Sequence, residues 1–273
     1  MTITFRNRLL WVAFACLLSM WVQPRADAAD TANTVAAADS APEIIARTDR
    51  VRNPQQPFHT TVTLVEYVSG RERDQDTLTV FAKMDARTHQ FRNLVQYVAP
   101  PRDAGKRVLL GGGALWFYDP ASKASVRISP AQQLVGQAAI GDVLTVNLSA
   151  DYTAALLGTE GIEDATRKER NCWHLQMKAA DDLATYNRVE YWVEQGTYLP
   201  IKAQFYSDSG RLLKIAYYRN FSEILGTTRP TQTIIIDAVD KSLATVATST
   251  DYGYQDIPDT WFQRDYLPHL ETR

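Results

Sequence analysis

Residues 78–84 read Leu-Thr-Val-Phe-Ala-Lys-Met, and apolar side chains recur at every second position of this stretch. Thr79 and Lys83 fall between the members of the apolar series, which are Leu78, Val80, Ala82 and Met84. A period of two is typical of a β-strand with one buried face, because successive side chains of a strand point to opposite faces. The stretch therefore predicts a strand that contributes one face to a core.

Similar runs recur along the chain and are separated by turn residues such as Ser69-Gly70 and Asp208-Ser209-Gly210. Runs this close together favour antiparallel pairing, since parallel strands need long crossovers. We predict strands near residues 58–68, 76–84, 90–98, 106–110, 114–118, 124–128, 172–177, 199–205, 211–219, 232–239 and 245–254. A sheet of that many twisted strands curls. The expected fold is mainly β (α+β), with a single strongly curved antiparallel sheet of about 11–12 strands forming a half-open barrel.

The alternation stops between residues 129 and 158. Ser129 precedes Pro130, and Ser149 opens a second stretch that ends at Gly158, which are signals for helix starts and a helix end. We predict two short helices that cover the sheet as a lid. Ser40 and Glu43 have capping-box spacing, so a further helix is expected before Asn53-Pro54.

The N-terminus has the three zones of a secretory signal: Arg6 and Arg8, the apolar run 9–22, and the small-residue triplet 26–28. The run is too short for a membrane-spanning helix, which needs about 20 residues. We predict a cleaved signal peptide at residues 1–28, a flexible leader at 29–40 and one domain at 41–273. A competing interpretation makes Cys16 a lipid-attachment site, but Ala13-Phe14-Ala15 lacks the usual leucine.

The composition excludes several classes of protein. In 273 residues, 45% are hydrophobic and Cys occurs twice, which excludes a disordered chain and a disulfide scaffold. The formal net charge of −2 provides no broad cationic field for nucleic acid. The function must then reside in shape or in a local site.

No constellation of residues predicts catalysis, a metal site or a cofactor. Cys172 and His174 share one face of a predicted strand, but packing explains the thiol better than a thiolate–imidazole pair does. The other histidines stand alone in the sequence. The triplet Gly111-Gly112-Gly113 lacks a following Lys-Ser/Thr and is interpreted as a turn. The mixed-charge cluster Arg102, Asp103, Lys106 and Arg107 is either a docking rim for a membrane partner or an ordinary exposed loop.

Four stretches together resemble the outer-membrane lipoprotein-sorting-protein family, relatives of the LolA and LolB carriers. They are Leu-Trp-Phe-Tyr-Asp-Pro at 115–120, Arg-Ile-Ser-Pro at 127–130, residues 136–142, and Ser-Asp-Ser-Gly-Arg-Leu at 207–212. The likeness extends from about residue 41 to the C-terminus. One departure is the aliphatic stretch 143–148, where many relatives carry a Gly-Ser-Asp-Phe-rich segment.

The resemblance implies a half-open barrel whose hydrophobic cavity shields acyl chains or another lipid in the periplasm, with no reaction catalysed. It implies an inner-membrane transporter and an outer-membrane acceptor as partners of a monomeric carrier. A lipid-sensing regulatory domain that acts on an envelope-stress signalling protein is the alternative, and a hydrolase is disfavoured because no nucleophile motif is present. Strand parity and the lid prediction give the expected ligand-binding residues: Val80, Met84, Phe91, Val95, Tyr97, Trp116, Leu134, Val135, Ile140, Leu144, Tyr152, Trp173, Leu175, Met177 and Phe205.

Overall fold

The computed structural model describes residues 39–270, and a 13-stranded antiparallel sheet dominates them. The sheet strands are β1 (Phe58–Val68), β2 (Arg71–Met84), β3 (Phe91–Ala99), β4 (Arg107–Gly111), β5 (Ala114–Asp119), β6 (Ala124–Arg127), β9 (Tyr152–Glu163), β10 (Glu169–Ala179), β11 (Arg188–Glu194), β12 (Pro200–Tyr206), β13 (Leu212–Ile224), β14 (Thr227–Asp237) and β15 (Leu243–Tyr254). A separate hairpin consists of β7 (Gln133–Val135) and β8 (Ala138–Ala139). The predicted signal peptide and residues 29–38 of the leader lie outside the described part of the chain.

Helices are few in this part of the chain. They are α1 (Ala41–Arg52), α2 (Leu148–Asp151) and three 3-10 segments at Ile140–Asp142, Asp259–Phe262 and Arg264–His269. Between residues 39 and 270 no helix has the length and apolar character needed to cross a membrane.

The strand order is β6-β5-β4-β3-β2-β1-β15-β14-β13-β12-β11-β10-β9. Neighbours in this order are mostly consecutive in sequence, and the exception is the pairing of β1 with β15 at the middle of the sheet. The sheet is not closed into a barrel, since β6 and β9 form its two edges. The predicted fold class is confirmed, and the sheet contains two strands, β9 and β11, that the sequence analysis did not predict.

Helix α1 follows the sequence prediction closely. The backbone N–H of Ser40 donates to Glu43 Oε2 over 2.9 Å and completes the predicted capping box. The helix ends before Pro54, and its buried residues Ile44 and Ile45 pack on the sheet core. We call the face of the sheet that α1 covers the inner face, and the opposite face the outer face.

The prediction of two helices between residues 129 and 158 is wrong. The first stretch forms the β7–β8 hairpin and a 3-10 turn, and the second contributes only the four-residue α2 before the chain enters β9. Ala154, Ala155, Leu156 and Leu157 favour a helix by intrinsic propensity. Pairing with β10, in which Ala154 lies opposite Met177, supplies backbone hydrogen bonds to a strand instead and overrides that propensity.

The C-terminal 3-10 segments cover part of the outer face. Phe262 and Leu267 pack there against Leu94 and Leu109. The buried guanidinium of Arg107 donates to the backbone oxygens of two residues of this segment, Leu267 at 2.9 Å and Leu270 at 2.6 Å. Arg107 therefore anchors residues 267–270 to the sheet, and its assignment to an exposed charged cluster is wrong.

Candidate functional site

A cavity of about 190 Å³ lies between the inner face and the segment that covers it. Strands β1 and β9–β15 form its floor, and residues 141–148 together with the end of α1 form its roof. A cavity of roughly 150 Å³ holds a benzene-sized guest, so this one accommodates a short hydrocarbon segment in the observed state. We refer to residues 133–151, which contain β7, β8, a 3-10 turn and α2, as the lid.

The lid is tied to helix α1 by polar contacts. The carboxylate of Asp49 accepts hydrogen bonds from the backbone N–H groups of Leu148 at 2.9 Å and Ser149 at 2.8 Å. The side-chain amide of Asn53 donates to the backbone oxygen of Val146 over 2.9 Å. Burial raises the pKa of Asp49, although Arg52 lies 3.4 Å away and opposes the shift. These contacts fix the end of the lid next to the cavity.

A second tie joins the lid hairpin to the sheet. The buried ammonium of Lys214 on β13 pairs with Asp142 of the lid and donates to the backbone oxygen of Gln137 over 2.8 Å. Asp142 also accepts from the Tyr186 hydroxyl at 2.8 Å and from the backbone N–H of Ala139 at 2.7 Å. A buried carboxylate requires such partners, because desolvation of an unpaired charge is costly.

A third tie comes from strand β3. Its fully buried Asn93 makes two hydrogen bonds with the backbone of Thr145 in the lid. Gln90, just before the strand, accepts from the backbone N–H of Asn147 at 2.8 Å and donates to Asp151 at 2.6 Å. The lid is therefore held by side chains that satisfy its backbone and by little regular secondary structure of its own.

The wall of the cavity combines apolar and polar side chains. The apolar side chains come from the lid and the sheet: Val62, Val143, Leu144, Met177, Val189, Phe205, Ala216, Ile235 and Ala247. The polar side chains include Arg52, Thr60, Asp142, Asp151, Thr185, Tyr186, Tyr218, Thr231, Thr233, Ser249 and Tyr252. The two kinds alternate in places, since Val62 lies opposite Ser249 and Thr233 lies opposite Ala247. A wall of this kind matches an amphiphile better than a pure hydrocarbon.

The predicted ligand-binding residues fall into three groups. Four of them, Leu144, Tyr152, Met177 and Phe205, line the cavity. Val80, Val95, Tyr97, Leu134, Val135, Ile140, Trp173 and Leu175 belong to the inner-face core but lie outside the cavity wall. Met84 and Phe91 pack with Phe58 in a separate cluster. Contact between a ligand and the eight inner-face core residues stays a prediction, and it requires the lid to move.

The prediction that Trp116 faces the cavity side of the sheet is wrong. Its neighbours Leu115 and Phe117 belong to the inner-face core, whereas Trp116 packs in the outer-face cluster under the C-terminal segment, with the Arg264 guanidinium 5.0 Å from its ring centre. Trp116 and Phe117 are consecutive aromatic residues, so the sequence alone does not show which of the two faces the core. On a strand of six residues, an error of one position in the alternation assigns every side chain to the opposite face of the sheet.

The hydroxyl side chains of the cavity wall were not predicted from the sequence. Thr231 and Thr233 alternate on β14, and Ser249 lies on β15. Polar side chains at every second position are normally interpreted as the solvent-facing side of a strand. Ile235 could have revealed them. It lies two residues after Thr233 and four after Thr231 on the same strand, so all three side chains point to one face, and an isoleucine indicates that this face is the one that carries the core.

Cys172 and His174 do not form a reactive pair. Burial raises the pKa of the Cys172 thiol to about 12, so the nucleophilic thiolate is scarce at neutral pH. His174 stacks on Trp192 with ring centres 4.2 Å apart, and its Nδ1 lies 3.1 Å from Glu160 Oε1. In residues 39–270 no cluster of three His, Cys, Asp or Glu side chains is arranged to hold a metal ion.

Comparisons with known proteins place this geometry in a family. A family model with the description "Uncharacterized protein" matches residues 89–269. A LolA superfamily protein of Nitrosomonas europaea is 34% identical, and its crystal structure matches with a TM-score of 0.75 over 84% of this chain and 100% of the other. The chain belongs to the LolA superfamily. No curated protein sequence matches it significantly.

Two further crystal structures share the LolA superfamily fold of this chain. A domain described as an outer membrane lipoprotein-sorting protein, from Vibrio parahaemolyticus, has a TM-score of 0.69 at 18% identity and covers 84% of this chain and 98% of its own. A DUF1329 family protein of Desulfovibrio piger has a TM-score of 0.70 at 19% identity over 83% and 97% of the two chains. These likenesses concern the fold alone.

The LolA resemblance inferred from sequence is thereby confirmed, and the structure shows what its motifs do. Residues 115–120 coincide with β5 and the turn after it, and residues 136–142 form the second half of the lid hairpin and the 3-10 turn. The turn predicted at Gly111-Gly112-Gly113 joins β4 to β5, where Gly112 and Gly113 have φ of +61° and +73°. In this LolA superfamily member the motif residues 115–120 and 136–142 shape the sheet and the lid.

Proposed function

We propose that this LolA superfamily protein is a periplasmic carrier that binds the acyl chains of a lipoprotein, or another lipid, and delivers them toward the outer membrane. The observation that carries the proposal is the cavity of about 190 Å³ beneath a lid that is held by side-chain ties. The signal-like N-terminus predicted from sequence supports export.

Burial of hydrocarbon supplies the affinity that a carrier needs. Each buried methylene contributes about 0.8 kcal/mol, so a chain of about a dozen methylenes gives on the order of 10 kcal/mol before entropy is subtracted. The observed cavity holds only part of such a chain. A full chain enters when the lid moves and exposes the inner-face core beneath it.

Transfer requires no chemical step in this proposal. The carrier takes its cargo from an inner-membrane transporter and releases it to an outer-membrane acceptor that offers comparable burial. A carrier with equal affinity for both states of its cycle would move nothing, so the open-lid and closed-lid forms must differ in affinity for lipid. The closed lid supplies that difference, because it buries lipid surface that the open lid leaves in water, and the lid ties set the free-energy cost of opening.

Mass spectrometry of lipids extracted from the protein, purified from its native periplasm, tests the proposal. A defined lipid or lipoprotein that subsequently appears in acceptor vesicles is the expected result. Lipid-free protein that neither takes up nor delivers lipid would refute the carrier function. A lipid that binds but is never transferred, accompanied by a ligand-dependent complex with a signalling protein, would favour sensing over transport.

A further inference from the structure

A second pocket lies apart from the cavity beneath the lid. It has a volume of about 250 Å³ and is bordered by strands β2, β3 and β5, the loop between β3 and β4, and residues 132–135. None of its lining residues also lines the cavity. Three members of the mixed-charge cluster found in the sequence, Arg102, Asp103 and Lys106, contribute to its wall. The carrier function gives these charges no role.

Asp76 on β2 supplies this pocket with a buried carboxylate that has no partner. The residue is 6% exposed, and its side chain makes no hydrogen bond or salt bridge with any residue from 39 to 270. Burial and the charges of Asp103 and Asp74 raise its pKa to about 6. A buried carboxylate without a partner is costly to ionise, because desolvation penalises the charged form. A cation in the pocket would lower that cost.

The hydroxyl of Tyr97 is a second unpartnered group of the same pocket. Tyr97 on β3 lies opposite Leu78, and Asp76 is two residues from Leu78 on the same face of β2, so Asp76 and Tyr97 are neighbours on the inner face. Tyr97 is 8% exposed, and its hydroxyl makes no hydrogen bond within residues 39–270. Burial and the nearby charge of Asp76 raise the pKa of this hydroxyl, which therefore stays neutral. The Tyr97 ring is perpendicular to that of Phe117, with the ring centres 6.5 Å apart.

The other charges of the pocket are already paired. Arg102 Nη2 lies 3.1 Å from Asp74 Oδ1, and Arg102 Nε lies 3.0 Å from Asp103 Oδ2. Lys106 Nζ lies 2.5 Å from Asp103 Oδ1. Two cations therefore match two carboxylates, and the charge of Asp76 is left over. This excess of one negative charge disfavours an anionic guest.

A primary ammonium group fits what the pocket leaves unpaired. It has one positive charge, three N–H donors and no acceptor, whereas the unpaired groups are a carboxylate and a hydroxyl oxygen. Aromatic rings such as those of Tyr97 and Phe117 attract a cation placed over their faces. A metal ion is a poorer match, because no three His, Cys, Asp or Glu side chains in the described part of the chain are arranged to hold one.

We propose that this pocket binds a small primary alkylammonium ion, held by the Asp76 carboxylate and the Tyr97 hydroxyl. The alkyl part of the ligand lies against Phe117 and the aliphatic side chains of Leu134 and Val135. The site goes beyond the carrier function and does not depend on it. Because residues 132–135 form part of the wall, an occupied site contacts the start of the lid.

Titration with n-butylammonium tests the site. The mature protein is titrated at pH 8, and binding is followed by calorimetry and by the NMR amide signals of residues 132–135, which are expected to shift. 1-Butanol has the same chain without the charge, and it is expected to bind at least about tenfold more weakly. Equal binding of the two ligands would show that the alkyl chain alone is recognised and would overturn the proposal.

Two variants assign the contacts. Asp76→Asn keeps the shape of the side chain and removes its charge, so it is expected to weaken n-butylammonium binding at least about fivefold. Tyr97→Phe removes one acceptor and is expected to weaken binding roughly fivefold. Asp182→Asn is the matched control, because it changes the net charge equally at an exposed residue outside the pocket. Urea unfolding at pH 8 checks that each variant is folded.

The wild-type protein supplies a test that needs no variant. n-Butylammonium keeps its charge from pH 5 to pH 8, whereas Asp76, with a pKa of about 6, is mostly protonated at pH 5. The affinity is therefore expected to be about tenfold lower at pH 5 than at pH 8. The charged or titratable groups around Asp76 are Tyr97 on β3, Asp74 on its own strand, Glu66 opposite Asp74 on β1, and Arg102, Asp103 and Lys106 of the loop. Of these, Asp103 has a lowered pKa and stays ionised at both pH values.

The outcomes separate this site from the carrier proposal. If n-butylammonium does not bind to the wild type, or binds equally well to Asp76→Asn, the assignment is wrong and the carrier function is unaffected. If Asp76→Asn does not fold, the pH dependence decides, and equal affinity at pH 5 and pH 8 would overturn the role of Asp76. A lysine-containing peptide that binds more tightly than n-butylammonium would overturn the assignment to a free amine.

Discussion

Asn93 and Thr145 hydrogen-bond to each other twice: the Asn93 amide donates to the Thr145 backbone oxygen at 2.8 Å, and the Thr145 backbone N–H donates to Asn93 Oδ1 at 2.8 Å. Asn93 is fully buried on strand β3, and Thr145 lies in the lid. One side chain thus replaces the backbone partners that a strand or helix would have given this part of the lid. The contact couples the stability of the lid to the sheet.

Replacement of Asn93 should loosen the lid. Asn93→Leu leaves the N–H and C=O groups of Thr145 without their partner, and each unsatisfied group costs about 1–3 kcal/mol. We expect the free energy of unfolding to fall by about 2–4 kcal/mol and the Thr145 amide to exchange with deuterium faster than the sheet amides. Gln96→Leu on the same strand is the control, and an equal effect of both changes on Thr145 exchange would contradict this role.

The Lys214–Asp142 pair should behave as a buried ion pair. Lys214→Met leaves the Asp142 carboxylate without its cation, so we expect a loss of about 3–5 kcal/mol in urea unfolding. The double variant Asp142→Asn/Lys214→Met removes both charges and should recover much of that loss. A double variant no more stable than Lys214→Met would show that the penalty arises from lost packing of the lysine.

A disulfide between the lid and the sheet should block cargo exchange. A Cβ built at Gly136 lies 3.1 Å from the Glu66 Cβ, which is closer than the separation typical of a disulfide, and 2.5 Å from Thr245 Oγ1. Gly136 also has a φ of +53°, so the hairpin must shift to form the bond, and the reduced variant should be less stable than the wild type. The Glu66→Cys/Gly136→Cys protein should load and release lipid slowly when oxidised and at the normal rate after reduction. Cys172 is buried and does not compete for pairing. Exchange that is equally fast in both redox states would show that release does not require movement of the lid hairpin.

Stability should depend on pH through buried carboxyl groups. Burial raises the pKa of Asp151 to about 6 from 3.8, so the folded state holds this proton more tightly than the unfolded state does. The free energy of unfolding therefore falls as the pH rises from about 4 to above 6. Burial raises the pKa of Asp76 to about 6 as well, and its contribution has the same sign.

Asp151→Asn removes one of these contributions and keeps an acceptor for Gln90. The variant should lose less stability than the wild type between about pH 4 and about pH 7, by at most about 3 kcal/mol. Asp208→Asn in an exposed turn is the control. Parallel pH profiles of wild type and Asp151→Asn would show that this carboxyl group is not responsible.

Strand periodicity predicted most of the sheet, and the misses have identifiable causes. Strand β11 alternates Val189, Tyr191 and Val193 and was available from the sequence. Strand β9 could not be predicted from the sequence. As an edge strand it exposes both Leu156 and Leu157, so its side chains do not alternate, and two adjacent leucines suggest a helix instead. Its strand conformation depends on pairing with β10, which is information from elsewhere in the chain.

The site was predicted less well than the sheet for a related reason. Parity identified Met177 and Phe205, since each alternates with polar neighbours. It could not identify Asn93 or Lys214, because a buried polar side chain has the same sequence signature as a surface one. Their structural role depends on contacts that form only in the folded protein: Asn93 contacts the lid backbone, and Lys214 pairs with Asp142.

The pairing of β1 with β15 separates the sheet into two halves of local hairpins. In that seam Thr61 lies opposite Thr250, although the strands stand at opposite ends of the sequence. Closure of so long a loop is entropically costly, and contacts of this kind slow folding. The hairpins of each half can form early in folding, but the two halves become one sheet only when β1 pairs with β15. In a circular permutant whose original ends are linked between β15 and β1 and whose new ends lie in the lid, all neighbouring strands would be consecutive in sequence. The sheet would then be a simple meander.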